Sequence, residues 1–267
     1  MQKVRVDMLL LERGLVESRS QAQRLIMAGK VRINGEVILK PSTMVPIEAI
    51  IDIESGPKFV SRGGVKLEAA LQSFGLDVHG AVCADVGAST GGFTDCLLQH
   101  GAKRVYAIDV GQGILHWKIR NDPRVVVMER TNVRYVKYLP ETVNLIAIDV
   151  SFISLKQILP VVRGWLSSSE GDVLALIKPQ FEAGKTEANR GEGVIRDKKI
   201  HQRVLLEILT FAEQEGFAIC GLIPSPILGP KGNVEFFVWL KGSGCSIDNF
   251  QDWIDKAIHQ SPCIRER

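Results

Sequence analysis

Two apolar runs in this chain close on ionisable side chains. Leu145-Ile-Ala-Ile leads to Asp149, and Val173-Leu-Ala-Leu-Ile leads to Lys178. Lysine is among the residues least often buried, so an ammonium ending a strand-like apolar run marks a place where a proton can be moved. Lys66 and Glu235 add a second cation and a second carboxylate, although Glu235 stands between Val234 and Phe236 and pattern alone does not fix its direction. Each of the four also has a plain structural reading. A lysine at a strand end can snorkel to water, and a glutamate can sit on a polar sheet face. Taken together beside a ligand loop, they have the types needed for general acid–base chemistry.

That loop is Asp85-Val-Gly-Ala-Ser-Thr-Gly-Gly-Phe93, which follows the apolar Ala81-Val-Cys-Ala84 and leads into an amphipathic stretch up to His100. Strand, glycine-rich turn and helix form the first unit of an open α/β sheet that holds a nucleotide-like ligand. The spacing is not G-x-G-x-x-G, and no Lys-Ser/Thr follows the glycines as in a phosphate-cradling P-loop. An acidic residue at the strand end suits a ligand with a cationic amino-acid portion and no pyrophosphate, as in S-adenosylmethionine. A second run, Arg104-Val-Tyr-Ala-Ile, ends in Asp109, 22 residues after Gly87, where a carboxylate can accept both ribose hydroxyls of an adenosine. The candidate cofactor contacts are Asp85, Gly87, Ala88, Ser89, Gly91, Gly92, Phe93, Asp109 and Val110. The alternative for Asp85 and Asp109 is that they cap helices and turns.

These groups need a frame of alternating strands and helices. Strands are expected near 81–86, 104–109, 125–128, 143–149, 172–178, 217–223 and 233–240, with helices near 66–71 and 199–215. That alternation predicts a seven-stranded, mostly parallel sheet with crossover helices, and the Pro/Gly-rich link from Pro224 to Gly232 permits an antiparallel pair at its end. Residues 180–197 read as a long polar loop directly after Lys178, a length that is usually functional or mobile.

Residues 1 to about 56 form a different pattern. Val6, Leu9 and Leu10 share a helical face, Ser18 offers an N-cap for a second helix, and Asn34-Gly35 marks a hairpin. Gly56-Pro57 then breaks the chain. The boundaries expected are 1–57 for a small α+β module, 58–62 for a linker and 63–267 for the α/β domain. Arg5, Arg19, Arg24, Lys30 and Arg32 in the module, Arg62 after it, and Lys185 and Arg190 in the long loop are candidate contacts to RNA phosphates. The plain alternative is a solvated, charged helix face.

Composition bounds the rest. A net charge of +3 is too small for a global nucleic-acid footprint, so any such contact is local. Cys83, Cys96, Cys220, Cys245 and Cys263 show no C-x-x-C spacing, which argues against a disulfide framework or a zinc site and for a reducing, cytoplasmic setting. No secretory signal is expected from the opening residues, and no apolar run reaches the length of a membrane helix.

Several of these segments together resemble one family. The helix-turn-hairpin start resembles the S4 RNA-binding domain. Val60-Ser-Arg-Gly-Gly-Val-Lys66, the Asp85–Asp95 loop, Asp149-Val-Ser-Phe152, Lys178-Pro-Gln-Phe-Glu182 and Gly232-Asn-Val-Glu235 resemble the TlyA (hemolysin A) type ribosomal RNA 2′-O-methyltransferases. Their catalytic domain is similar to the FtsJ/RrmJ-type enzymes. The linker Gly56-Pro-Lys-Phe-Val60 departs from the Arg-x-Trp-Val form of mycobacterial members. The resemblance implies a class I, Rossmann-like methyltransferase domain behind an S4-like domain and S-adenosylmethionine as cofactor. It further implies ribosomal RNA or ribosomal subunits as partner, with no membrane or metal, and cytidine ribose as target. It also implies a catalytic tetrad of Lys66, Asp149, Lys178 and Glu235, in which Lys178 is the expected base. Rival readings are an RNA-binding assembly factor with a vestigial catalytic domain, and a cytolysin. A base methyltransferase is disfavoured because no Asn/Asp-Pro-Pro-Tyr/Phe run is present.

Overall fold

A computed structural model describes residues 2–54, 56–167, 171–184, 187, 192–244 and 250–262. The chain divides into two compact units, Met1–Lys58 and Phe59–Arg267. In the first, a strand β1 (Lys3–Arg5) runs into helix α1 (Val6–Glu12), followed by α2 (Arg19–Met27) and strands β2 (Val31–Ile33), β3 (Glu36–Val37), β4 (Met44–Pro46) and β5 (Ile51–Ile53). The Ser18 hydroxyl accepts from the Gln21 amide at 3.3 Å and so caps α2. Asn34 and Gly35 both take positive φ, 51° and 86°, the geometry a tight two-residue hairpin turn requires. β2 pairs antiparallel with β3 and β5. The pair β1–β4 is not apparent in the sequence, because three-residue strands carry no readable period. Val6, Leu9, Leu10, Ala22, Ile26 and Val31 form the core of this unit.

The second unit is a seven-stranded sheet built from β6 (Val82–Val86), β7 (Arg104–Ile108), β8 (Val125–Met128), β9 (Leu145–Ile148), β10 (Asp172–Ile177), β11 (Ala218–Pro224) and β12 (Phe236–Lys241), in the order β11-β12-β10-β9-β6-β7-β8. β12 alone runs antiparallel, and it lies between β10 and β11 rather than at the edge. Side chains alternate between two cores, as the two-residue period of a strand dictates. Ala84, Val86, Ile146, Ile148, Ala175 and Ile177 enter one core, and Cys83, Ala147, Leu174 and Leu176 the other. Helices α3 (Arg62–Phe74) and α4 (Gly92–Gln99) bury Leu67, Leu71, Phe93 and Leu97 in the second core. Later come α5 (Trp117–Arg120), α6 (Leu159–Arg163), α7 (Pro179–Glu182), α8 (Lys198–Gln214) and α9 (Phe250–Gln260).

Two local expectations are corrected. The segment after Lys178 opens as the short helix α7, because Pro179 occupies its first position, where a missing N–H costs nothing. Glu235 stands just ahead of β12 rather than inside it, since pairing begins at Phe236. Among the described residues, no helix is long and apolar enough to cross a membrane.

The start of α3 rests directly on Phe59. A β-carbon on Gly64 would lie 2.2 Å from the Phe59 ring, so this helix approaches only because the residue is glycine. Gly64→Ala is expected to destabilise the fold by about 1–3 kcal/mol through overpacking. Thermal denaturation reads this as a lowered melting temperature, and an unchanged one would show that Phe59 moves aside freely.

Candidate active site

Parallel neighbours deliver their ends to the same edge of a sheet. β9 and β10 pair in parallel, Leu145 beside Asp172 and Ile148 beside Ala175, so the residues that follow them emerge together. Asp149 comes directly after β9, and its amide donates to the Val86 carbonyl at 2.9 Å. Lys178 comes directly after β10 and caps α7. The Lys178 Nζ lies 2.5 Å from Asp149 Oδ1, an ion pair whose angles fall short of a directed hydrogen bond. The same nitrogen donates to Ser151 Oγ at 3.1 Å and sits 5.9 Å from the centre of the Phe181 ring. Lys178 is 9% exposed.

A second pair faces the same cavity. Lys66, in the second turn of α3, donates to Glu235 Oε2 at 2.5 Å, and both residues are buried. The Gln180 amide nitrogen reaches Glu235 Oε1 at 3.5 Å. Gly229 makes room for this carboxylate, because a β-carbon there would lie 2.4 Å from Oε1. The four ionisable residues of the sequence reading therefore resolve into two ion pairs, Lys178–Asp149 and Lys66–Glu235. All four line one cavity of about 830 Å³, within the range of small-molecule sites of roughly 300–1,000 Å³.

The glycine-rich loop forms another wall. Gly87 takes φ +86°, and a β-carbon there would lie 2.4 Å from the Asp149 carbonyl oxygen. Only glycine lets the loop turn against the segment that carries Asp149. Gly87, Ala88, Ser89, Gly92 and Phe93 line the cavity, as do Ser61, Arg62 and Gly63 at the start of α3. A β-carbon on Gly92 would lie 2.1 Å from Ser61 Oγ, so this glycine brings the N-termini of α3 and α4 together. Two helix N-termini and Arg62 bring positive charge to that end of the cavity, opposed in part by the buried Asp95 in the first turn of α4.

The other predicted cofactor residues are not on the wall. Asp85 is fully buried, and its Oδ2 accepts from the Thr94 amide at 2.9 Å and the Thr94 hydroxyl at 2.6 Å. Through these bonds it braces the start of α4 beneath the loop. Its Oδ1 has no hydrogen-bond partner. Asp109 accepts from Ser89 N at 2.8 Å and Gly111 N at 2.7 Å, which holds the loop beside the end of β7. Gly91, at φ +93°, abuts Leu115, and Val110 is exposed at the surface. Lining residues missed by pattern include Ser151, Phe152, Gln180, Phe181 and Asn233. All lie inside motifs already singled out, but nothing in their spacing assigned them a place. Phe152 takes φ +64° and is 91% exposed, with its ring 4.8 Å from that of Phe181 at the cavity wall.

Of the candidate RNA contacts, Arg62 lines the cavity. Arg5 and Arg19 both bond Asp7, and Arg24 and Arg32 are exposed while Lys30 is half-buried. Lys185 and Arg190 lie outside the described residues.

The FtsJ-like methyltransferase family matches residues 59–242, and the S4 domain matches residues 4–51. The 16S/23S rRNA (cytidine-2′-O)-methyltransferase TlyA of Mycobacterium tuberculosis is 44% identical over 97% of this chain and 99% of its own length. Hemolysin A of Brachyspira hyodysenteriae is 42% identical over 87% of this chain and 98% of its own. A solved structure of a hemolysin candidate from Streptococcus thermophilus superposes with a TM-score of 0.72 at 44% identity, covering 97% of this chain and 96% of the other.

Burial pushes the Asp85 carboxyl up from 3.8 to about 7, partly offset by the Thr94 hydroxyl and reinforced by Asp149. Asp85 stays protonated in the folded chain where the unfolded chain has already ionised. Its contribution to stability is complete below the unfolded value of 3.8 and is lost as pH rises through about 7. The melting temperature of the wild type, taken relative to Asp85→Asn, is expected to fall across that interval and level off above it. Parallel melting profiles for the two proteins would contradict this.

Proposed function

We propose that this chain, which belongs to the FtsJ-like methyltransferases and within them to the TlyA-type ribosomal RNA enzymes, transfers a methyl group from S-adenosylmethionine to a ribose 2′-hydroxyl of ribosomal RNA, with cytidine as the target nucleoside. The observation that carries this reading is the pair of ion pairs, Lys178–Asp149 and Lys66–Glu235, on the wall of the cavity that the Gly87–Phe93 loop also lines.

The residues present fit the cofactor. The positive charge brought by the starts of α3 and α4 with Arg62 suits the carboxylate of its amino-acid portion. Asp109 stands beyond the cavity wall, fixed by Ser89 and Gly111 behind the loop, and keeps lone pairs for the hydroxyls of a ribose that extends past Ser89. Bound there, S-adenosylmethionine supplies an electrophilic methyl group. No metal ligand takes part in this scheme.

A ribose hydroxyl is a weak nucleophile at neutral pH and needs a base as its oxygen attacks. Lys178 is that base, acting as the neutral amine. Asp149, 2.5 Å away, and Ser151 fix where its nitrogen points. Held there, the amine takes the hydroxyl proton as the ribose oxygen attacks. Lys66 and Glu235, which line the same cavity, position the ribose and its phosphate. Alignment of this kind contributes on the order of 7–11 kcal/mol when the reacting atoms are well oriented.

Lys178→Ala is expected to lower methyl transfer to deproteinised ribosomal RNA by about 10²–10⁴-fold, while calorimetry shows S-adenosylmethionine still binding. Near-normal methylation by this variant would remove Lys178 from the base role.

A further inference from the structure

We propose that Asp7 is the positioning residue of a preformed phosphate site on the first unit, in which one buried carboxylate holds the guanidinium groups of Arg5 and Arg19 ready for an RNA backbone phosphate. This deepens the reading of the chain as an RNA-modifying enzyme and rests on it.

Asp7 lies in the first turn of α1 with no exposed surface. Arg5 donates to it through Nε, to Oδ1 at 3.0 Å, and through Nη2, to Oδ2 at 3.0 Å. Arg19 donates through Nε to Oδ2 at 2.9 Å, and Gln23 donates to the same oxygen at 3.1 Å. Three of these bonds fall on Oδ2 and one on Oδ1, so most of the carboxylate's roughly four acceptor positions are spent on the two arginines and Gln23. Arg5 foremost, then Gln23 and Arg19, hold this carboxyl well below the usual carboxylate range against the opposing effect of burial. It therefore stays ionised across physiological pH.

The arginines are not used up. A guanidinium has about five N–H donors. Arg5 commits two to Asp7 and Arg19 commits one, while their side chains remain 40% and 49% exposed. Two cations held by one anion leave a net positive site with both forks partly open to water. A planar fork that is already fixed loses less freedom when it meets a phosphate, and phosphate is the anion such forks recognise bidentately. A half-exposed ion pair adds little to stability by itself, whereas pre-ordering two long side chains removes part of the cost of binding.

Charge counting and positioning predict opposite signs for one substitution. Asp7→Asn removes a negative charge from a face that meets RNA, so charge alone would tighten binding. Positioning predicts that the full-length variant binds deproteinised 16S and 23S ribosomal RNA about tenfold more weakly, the loss expected from one misplaced charged hydrogen bond. Arg19→Lys keeps every charge and leaves Arg5 on Asp7, so it also decides the matter if Asp7→Asn disturbs folding. Its affinity should likewise fall, with an unchanged slope of affinity against salt because the number of neutralised phosphates is the same. Wild-type affinity in Arg19→Lys, or equal or tighter binding by folded Asp7→Asn, overturns the proposal. A wild-type protein that methylates no ribosomal RNA would instead overturn the catalytic reading.

Discussion

The parallel pairing of β9 with β10 is the constraint on which the candidate active site depends. It sets the residues after two buried strands side by side, and those residues are a carboxylate and an ammonium 2.5 Å apart. Neither charge would be tolerated alone in so apolar a frame, because an unpaired buried ion is costly to desolvate. The sheet interior, the turn at Gly87 and the cap of α7 all serve to bring Asp149 and Lys178 to one edge. Glycine at 87 is needed because the loop passes against the Asp149 carbonyl with no space for a side chain.

The second ion pair is built by a different route. Lys66 comes from a helix ahead of the sheet and Glu235 from a turn ahead of its antiparallel strand, 169 residues away in sequence. Gly229 clears the space for the carboxylate, and the insertion of β12 between β10 and β11 places it opposite Lys178 across the strand ends. Local strand pairing fixes one half of the site, and the long return of the chain fixes the other. Both pairs line one cavity of about 830 Å³.

Much of this was legible in the residues, and the reasons differ from case to case. Asp149 and Lys178 stand out because an apolar run followed by an ionisable residue is a local pattern. The alternation of strands with helices follows from their differing periods, and the Asn34-Gly35 hairpin from backbone angles that few other residues accept. The partnership of Lys66 with Glu235 had no local signal, because spacing does not encode a contact across 169 residues. Asp85 shows a different limit. A carboxylate at a strand end reads alike whether it faces a ligand or braces a loop, and only its bonds to Thr94 reveal the brace. Strands of three residues and a helix of four are too short to show a period.

The most direct measurement is a crystal structure of the protein with an unreactive cofactor analogue and an RNA strand carrying the target cytidine. The account predicts the Lys178 amine within about 2.6–3.2 Å of the ribose 2′-oxygen, the reach of a general base. It also predicts Asp149 still paired with that amine. A 2′-oxygen held by some other group, with Lys178 turned away from it, would contradict the assignment at its centre.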